Sequence, residues 1–308
     1  MYIEQIKSKN FNFILYLPVL LGFFGLMIAN YFMTQGMSTD DLMHQMIAQF
    51  GTNITFVIVI VPLSLMCLGL LFWVKFIHKQ SIRSLTTSRK KVDWSRILFS
   101  FGLWGLISAV LTLVAYLAAP ENFVINFEPV PFFTFLLLAV ILIPLQTSFE
   151  EYLFRGYLMQ GLGVITNSRL IPFLTSSVLF GLMHIANPEV GKLGMVIMIY
   201  YIGTGFFLGI LTLMDEGLEL ALGFHAANNL IGALLVTADW TAFQTNSVLK
   251  DISEPTAGWD IIIPVFVVFP LLLLLFSKKY KWNNWKEKLT GRLTTETDVE
   301  TDIETIGR

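Results

Sequence analysis

The chain has 308 residues, of which 55% are hydrophobic and 14% are charged, and its formal net charge is −2 at pH 7. Soluble proteins carry about a quarter charged residues, so this composition excludes an ordinary soluble domain and indicates an integral membrane protein. The small negative net charge gives no reason to expect a nucleic-acid partner.

The apolar runs of the chain are long enough to cross a lipid bilayer, since a spanning helix needs about 20 mostly apolar residues. The first run lacks the small-x-small cleavage pattern of a signal peptide and is interpreted as a retained anchor. The fifth to seventh runs are rich in Gly, Ser, Thr and Asn, which favours packing against other helices. The sequence therefore predicts an all-α, polytopic membrane helical bundle of about eight transmembrane helices, near 11–33, 53–77, 97–119, 132–154, 169–186, 193–214, 218–237 and 260–277.

Basic residues collect on one side of these runs. The segment 75–96 carries seven Lys and Arg residues against the single acid Asp93. Further lysines precede the first run and follow the last one, namely Lys7, Lys9, Lys278, Lys279, Lys281, Lys286 and Lys288. The positive-inside rule then predicts a multi-pass protein of the cell membrane with both termini cytoplasmic. The acidic loop 215–219 falls on the same side, against the pattern.

Two adjacent carboxylates and an arginine follow directly on the fourth run, in "SFEEYLFRGY". In a helix, residues four apart share a face, so Glu151 can pair with Arg155. Glu150 is five residues from Arg155 and points to a different face, one turn beyond Gln146. The two glutamates are therefore expected to have different roles, and the helix is expected to extend over 132–163.

Histidine and asparagine occupy two of the later runs. His184 follows Phe180 by four residues in "FGLMH", and Asn229 follows His225 by four residues in "HAANN". Each feature alone has an ordinary explanation as a helix end, a packing histidine or an interhelical hydrogen bond. Together, a glutamate, two histidines and an asparagine on three helices can activate water and hold an oxyanion.

The motifs E-E-x-x-x-R, F-x-x-x-H and H-x-x-x-N, in this order, resemble those of the CAAX-protease and bacteriocin-processing family of intramembrane endopeptidases. The resemblance covers roughly 130–237 and implies Glu150 as the catalytic carboxylate with His184 as its partner in activating water. His225 and Asn229 would form the oxyanion site, with Asn228 as an alternative amide. Glu151 and Arg155 would support them.

The apolar runs, the charge pattern and the resemblance together predict how the chain is organised and what it acts on. The expected parts are three N-terminal transmembrane helices with a basic cytoplasmic loop (1–130), a catalytic core (131–237), and an external loop, last transmembrane helix and charged cytoplasmic tail (238–308). The expected partners are the lipid bilayer and a membrane-tethered peptide or protein substrate. The site cavity is expected to open toward the cytoplasmic leaflet or sideways to lipid.

The sequence leaves the cofactor and two other functions open. Glu150, His184 and His225 are a conceivable zinc set with an open fourth position, although no H-E-x-x-H motif occurs. The alternative to zinc is hydrolysis without a metal. The other functions are a non-catalytic immunity or scaffold protein, and an ion-coupled transporter that uses the same polar cluster.

Overall fold

The computed structural model describes residues 1–6, 11–33 and 39–293. Lys7, Lys9 and the acidic end of the predicted tail lie outside the described residues. Within the described part there are fourteen α-helices: α1 (Leu17–Met33), α2 (Thr39–Phe50), α3 (Thr52–Phe76), α4 (Ile82–Thr86), α5 (Trp94–Ala118), α6 (Pro129–Glu151), α7 (Met159–Thr166), α8 (Leu170–Leu182), α9 (Pro188–Leu193), α10 (Met198–Asp215), α11 (Glu219–Leu235), α12 (Trp259–Ile263), α13 (Phe269–Tyr280) and α14 (Trp285–Thr290).

The all-α membrane bundle predicted from the sequence is confirmed. Each of the eight apolar runs corresponds to helical structure. Six helical stretches of the described residues are long and apolar enough to cross a membrane: Phe13–Met33, Thr52–Phe76, Trp94–Ala118, Pro129–Thr166, Met195–Asp215 and Trp259–Tyr280. The protein is therefore a multi-pass membrane protein.

The other two runs form shorter helices inside the bundle. Helix α8 has 13 residues, a length of about 20 Å, which is less than the ~30 Å of a hydrocarbon core. Helix α11 has 17 residues and is buried along most of its length. Glycines allow close packing here, since a side chain on Gly205 of α10 would collide with the backbone of Ser177 in α8. Helix α11 can be polar because its neighbours shield it, whereas α8 keeps one apolar face exposed, with Leu170, Ile171 and Leu174 among its exposed residues.

The fourth span is longer than its apolar run. Helix α6 continues through a π-helical stretch, Tyr152–Leu158, into α7, so that helix runs without interruption over Pro129–Thr166. The expectation of one long helix over 132–163 is confirmed, whereas the apolar run ended too early, at 154. Widened helical turns of this kind occur often at functional sites.

A small β-sheet closes one end of the bundle and was not predicted. Its strands are β1 (Phe123–Ile125), β2 (Val236–Ala238) and β3 (Leu249–Asp251), in the order β1-β3-β2. β1 pairs with β3 antiparallel, and β2 pairs with β3 parallel. We call this the sheet end of the bundle. The opposite end, formed by the segment 77–93 and the loop 215–219, is called the basic end.

The acidic loop that opposed the charge pattern is neutralised at the basic end. The Arg89 guanidinium lies 3.0 Å from the Asp215 carboxylate and 3.1 Å from that of Glu219. Arg96 forms a second ion pair with Asp215, and Lys288 lies 3.5 Å from Glu216. The basic segment and the acidic loop therefore belong on the same side because they bind each other.

Candidate active site

Glu150 lies inside the protein and not at a solvated helix end. Its side chain is 3% exposed. Gln146, one helical turn earlier on α6, donates its amide to Glu150 Oε1. The same Gln146 accepts a hydrogen bond from Asn229 of α11 over 3.3 Å. The other carboxylate oxygen, Oε2, has no hydrogen-bond partner among the described residues. One oxygen of Glu150 is thus fixed and the other remains free to bind a reactant.

Glu151 and Arg155 form the ion pair expected from their spacing. Arg155 Nη1 lies 2.9 Å from Glu151 Oε1, and both side chains are fully buried. The guanidinium also donates to the carbonyl of Gly205 over 3.0 Å and lies 4.1 Å from the ring centroid of Phe180. Arg155 therefore ties the π-helical stretch to α8 and α10 while it neutralises Glu151.

His225 stands between the two glutamates. Its Nδ1 lies 2.8 Å from Glu151 Oε1, and its Nε2 lies 3.6 Å from Glu150 Oε2. A carboxylate only accepts hydrogen bonds, so Nδ1 carries a proton. In the neutral ring, the lone pair of Nε2 then faces Glu150. Glu151 thus fixes both the orientation and the tautomer of His225, in the way that the aspartate does for the histidine of a serine-protease triad.

His184 is held on the wall of the site. Its Nδ1 lies 2.9 Å from the carbonyl oxygen of Phe180, which must accept, so Nδ1 carries the proton and Nε2 is an acceptor in the neutral ring. The ring stacks on Tyr201 of α10 with centroids 4.4 Å apart and planes at 13°. Within the described part of the chain, no direct hydrogen bond joins His184 to Glu150. A water molecule would be needed to connect them.

The two neighbouring asparagines differ in their partners. Asn228 accepts a hydrogen bond of 3.1 Å from the indole of Trp104 in α5 and donates to Asn229 over 3.1 Å. Asn229 contacts Gln146 and, through it, Glu150. Asn229 is therefore the amide coupled to the carboxylate, while Asn228 holds it from behind.

These side chains line a single cavity of about 370 Å³, which is within the size range of ligand sites. Four residues expected in the site share its lining: Glu150, His184, His225 and Asn229. The cavity reaches Asn187, Glu189, Ala242 and Phe243, which are joined by a 2.9 Å hydrogen bond from the Ala242 N–H to Glu189. All of these lie toward the sheet end.

The cavity does not lead to the basic end. None of its lining residues comes from the segment 75–96. Beyond Glu150, toward the basic end, six of the seven residues of Tyr152–Leu158 are buried. Packed side chains therefore close the route from the cavity to the basic end, while an opening toward the cytoplasmic leaflet stays a prediction because the orientation is itself predicted. The sideways opening stays a prediction.

The zinc set considered from the sequence does not assemble. Among the described residues, no group of three or more His, Cys, Asp and Glu side chains has an arrangement that could hold a metal ion. Nδ1 of His225 is bonded to Glu151 and Nδ1 of His184 to a backbone carbonyl, so only Nε2 of each ring is available as a ligand atom, as is usual for metal-binding histidines. Glu150, His184 and His225 surround a cavity, but they do not converge on one point as metal ligands do.

Three residues that contact the site were not predicted from the sequence to belong to it. Gln146 bridges Glu150 and Asn229, Tyr201 stacks on His184, and Trp104 holds Asn228. Gln146 had a readable signal, because it precedes Glu150 by four residues on one helix face. Tyr201 and Trp104 act across helix interfaces, and helical spacing carries no information about such contacts.

The fold and the site define a multi-pass membrane protein with a buried carboxylate, two histidines and an asparagine around one cavity. A family model described as type II CAAX prenyl endopeptidase Rce1-like matches residues 129–231, which carry all of these side chains. The uncharacterized protein YyaK of Bacillus subtilis (strain 168) is 32% identical over 216 residues, or 69% of this chain and 72% of that protein. No solved structure gives a significant match.

The chain belongs to the Rce1-like family of type II CAAX prenyl endopeptidases. This is a family of CAAX-type intramembrane proteases.

Proposed function

We propose that this protein is an intramembrane endopeptidase that hydrolyses peptide bonds of membrane-tethered peptides or proteins, with 131–237 as its catalytic core. The observation that carries the proposal is the arrangement of Glu150. Its carboxylate is buried, one oxygen is fixed by Gln146, and the other is free and faces His225 at 3.6 Å. Glu151 also has one unpartnered oxygen, but Glu150 differs from it because Glu150 lines the cavity and is not neutralised by Arg155.

Glu150 acts first as general base. Its free Oε2 takes a proton from a water molecule in the cavity, and the water oxygen attacks the carbonyl carbon of the scissile bond. His184 supports this step because Nε2, the acceptor in its neutral ring, can receive the second hydrogen of the same water. The stacked Tyr201 ring keeps His184 in that orientation.

The proton taken by Glu150 is stabilised by His225. The acid O–H of Glu150 faces the lone pair of His225 Nε2, and an imidazolium formed there is stabilised by Glu151 at Nδ1. Arg155 in turn balances the charge of Glu151. When the tetrahedral intermediate collapses, the C–N bond breaks and the leaving amine receives this one proton, from the Glu150 O–H or from His225 Nε2–H, which leaves Glu150 as a carboxylate and His225 neutral.

Asn229 donates to the developing oxyanion. Its amide has a second hydrogen besides the one bonded to Gln146, and a charged His225 Nε2–H is the other available donor. In soluble proteases one such donor contributes about 2.7–4 kcal/mol to transition-state stabilisation. The roles that the resemblance implies for Glu150, His225 and Asn229 thus fit the contacts, and that of His184 requires one intervening water.

We further propose that the protein resides in the cell membrane with the basic end and both termini cytoplasmic. The Lys and Arg residues of the segment 75–96 and the lysines after α13 support this orientation. The catalytic cavity then lies on the side of the sheet end, away from the cytoplasm. The substrate class that follows is a peptide reached from within the membrane or from its outer face.

The test is turnover of a fluorogenic, membrane-tethered peptide by the purified protein in lipid nanodiscs. We expect Glu150→Gln to abolish cleavage while membrane abundance and thermal stability stay close to the wild type, because the amide preserves the contact with Gln146. The matched control is Glu121→Gln, which makes the same charge change at an exposed site of the sheet end.

Natural substrates are identified by mass spectrometry of membrane-fraction peptides. The comparison is between cells that express the wild type and cells that express Glu150→Gln. Wild-type turnover by the Glu150→Gln protein would refute the mechanism. Identical peptide populations together with no turnover by the wild type would refute the protease assignment.

A further inference from the structure

Glu189 is a buried carboxylate in the cavity to which the mechanism assigns no role. It lies five residues beyond His184, in α9 at the sheet end, and it lines the same cavity as Glu150. One of its oxygens, Oε1, accepts a 2.9 Å hydrogen bond from the backbone N–H of Ala242. That contact joins the α8–α10 connection to the segment that follows β2 and fixes where the carboxylate points.

The second oxygen of Glu189 is buried and has no hydrogen-bond partner among the described residues. An unpaired buried carboxylate is unfavourable, and a cation placed beside it removes most of that cost. Burial raises the pKa of the Glu189 carboxyl, so its charged form gains from such a cation.

The charge of the cavity points in the same direction. Its lining residues include the carboxylates of Glu150 and Glu189 and contain no lysine or arginine. Arg155 lies behind this wall and is already paired with Glu151. The lining also contains the aromatic rings of Tyr200 and Tyr201, which are surfaces that a cationic side chain favours. Nothing in the lining therefore competes with a positively charged residue of a bound peptide.

Building on the proposed protease function, we propose that Glu189 is a specificity-determining residue that binds a lysine or arginine side chain of the substrate. Glu150 is at the end of the cavity nearer the basic end, and Glu189 is toward the sheet end. The basic residue therefore occupies the part of the peptide that points to the sheet end while the scissile bond lies at Glu150.

The test measures binding and turnover separately, so that the two proposals can fail separately. The binding assay uses inactive protein carrying Glu150→Gln in nanodiscs. Its ligands are tethered peptides that carry a lysine, a glutamine or a glutamate at one position near the cleaved bond and are otherwise identical. Fluorescence anisotropy gives the Kd of each peptide. We expect the best lysine peptide to bind about tenfold more tightly than its glutamine counterpart, as for one charge-assisted contact.

Glu189→Gln keeps an acceptor for the Ala242 N–H and removes the charge. In this background the lysine and glutamine peptides should bind alike, and Glu189→Lys should favour the glutamate peptide. Glu121→Gln, an exposed site at the same end, should leave the preference unchanged.

Equal binding of lysine and glutamine peptides to protein with Glu189 intact would overturn the inference, and so would a preference that survives Glu189→Gln. Turnover of neutral peptides that depends on Glu150 would, in that case, still support the protease function. If the lysine preference depended on Glu189 but the wild-type protein cleaved no peptide, the binding site would be supported and the protease function would be refuted.

Discussion

Replacing Arg155 tests whether the ion pair with Glu151 holds the site together. The side chain of Arg155 is fully buried and contacts Glu151, the Gly205 carbonyl and the Phe180 ring. Arg155→Met fills most of the volume but removes the charge and both hydrogen bonds. Glu151 is then left as a buried carboxylate with His225 as its remaining partner, at 2.8 Å.

The expected loss of stability follows from these contacts. Removing one partner of a buried ion pair costs about 3–5 kcal/mol, because an uncompensated charge remains in a low-dielectric environment. His225 can bind a proton and compensate part of that charge, so we expect about 3 kcal/mol. For a chain of 308 residues this corresponds to a fall in Tm of about 5 °C. Cleavage should fall as well, since a charged His225 can no longer accept a proton.

The assay is thermal unfolding in detergent followed by tryptophan fluorescence, for which the chain has seven tryptophans. The matched control is the double variant Glu151→Gln with Arg155→Met, which removes both charges at once. We expect this double variant to recover most of the lost Tm while it remains inactive, because no charge is stranded but His225 has lost its anionic partner.

Two outcomes would refute the reasoning. If Arg155→Met had the Tm and activity of the wild type, the ion pair would have no structural role. If the double variant were as unstable as Arg155→Met, the loss would come from packing around the side chain and not from the stranded charge of Glu151.

Two further predictions concern the oxyanion site and the topology. Asn229→Ala should lower kcat by about 10²–10³-fold, because it removes an oxyanion donor. Asn228→Ala loses its hydrogen bond with the Trp104 indole and should lower Tm more than kcat. Equal kcat values for the two variants would contradict this assignment. Reporter fusions after residues 90 and 290 should read cytoplasmic and one after residue 125 should read external, and an external signal at residue 90 would contradict the orientation.

The sequence was sufficient to predict the bundle and the convergence of the site. Apolar runs located every long helix, and the four-residue spacing of Glu151 and Arg155 predicted their ion pair because helix geometry is local. The prediction that Glu150, His184 and His225 line one cavity followed from the family resemblance and not from their spacing. Spacing within one helix does not determine how that helix rotates against another.

What the sequence did not predict depends on contacts between distant segments. The three-stranded sheet joins residues near 124, 237 and 250, and each strand has only three residues, which is too short for a periodic pattern. The bond between His225 and Glu151 spans 74 positions. Burial of Tyr152–Leu158 likewise depends on distant residues, since Tyr16 packs on Tyr157 and Leu85 of α4 packs on Gly156. The closed route to the basic end could therefore not be predicted from the charge pattern alone.

The contacts at the basic end have a consequence for the order of events during synthesis. Arg89 and Arg96 emerge from the ribosome 119 to 130 residues before the Asp215 and Glu219 side chains that later bind them. During that interval the acidic loop has not yet been made, and in the orientation proposed above the charges of the two arginines retain the nascent segment in the cytoplasm. The acidic loop, made afterwards, is then captured by arginines already in place. If the proposed orientation is correct, the same two side chains first orient the chain and later bind the acidic loop. Reversing their charge should then disturb membrane insertion before it disturbs the folded protein.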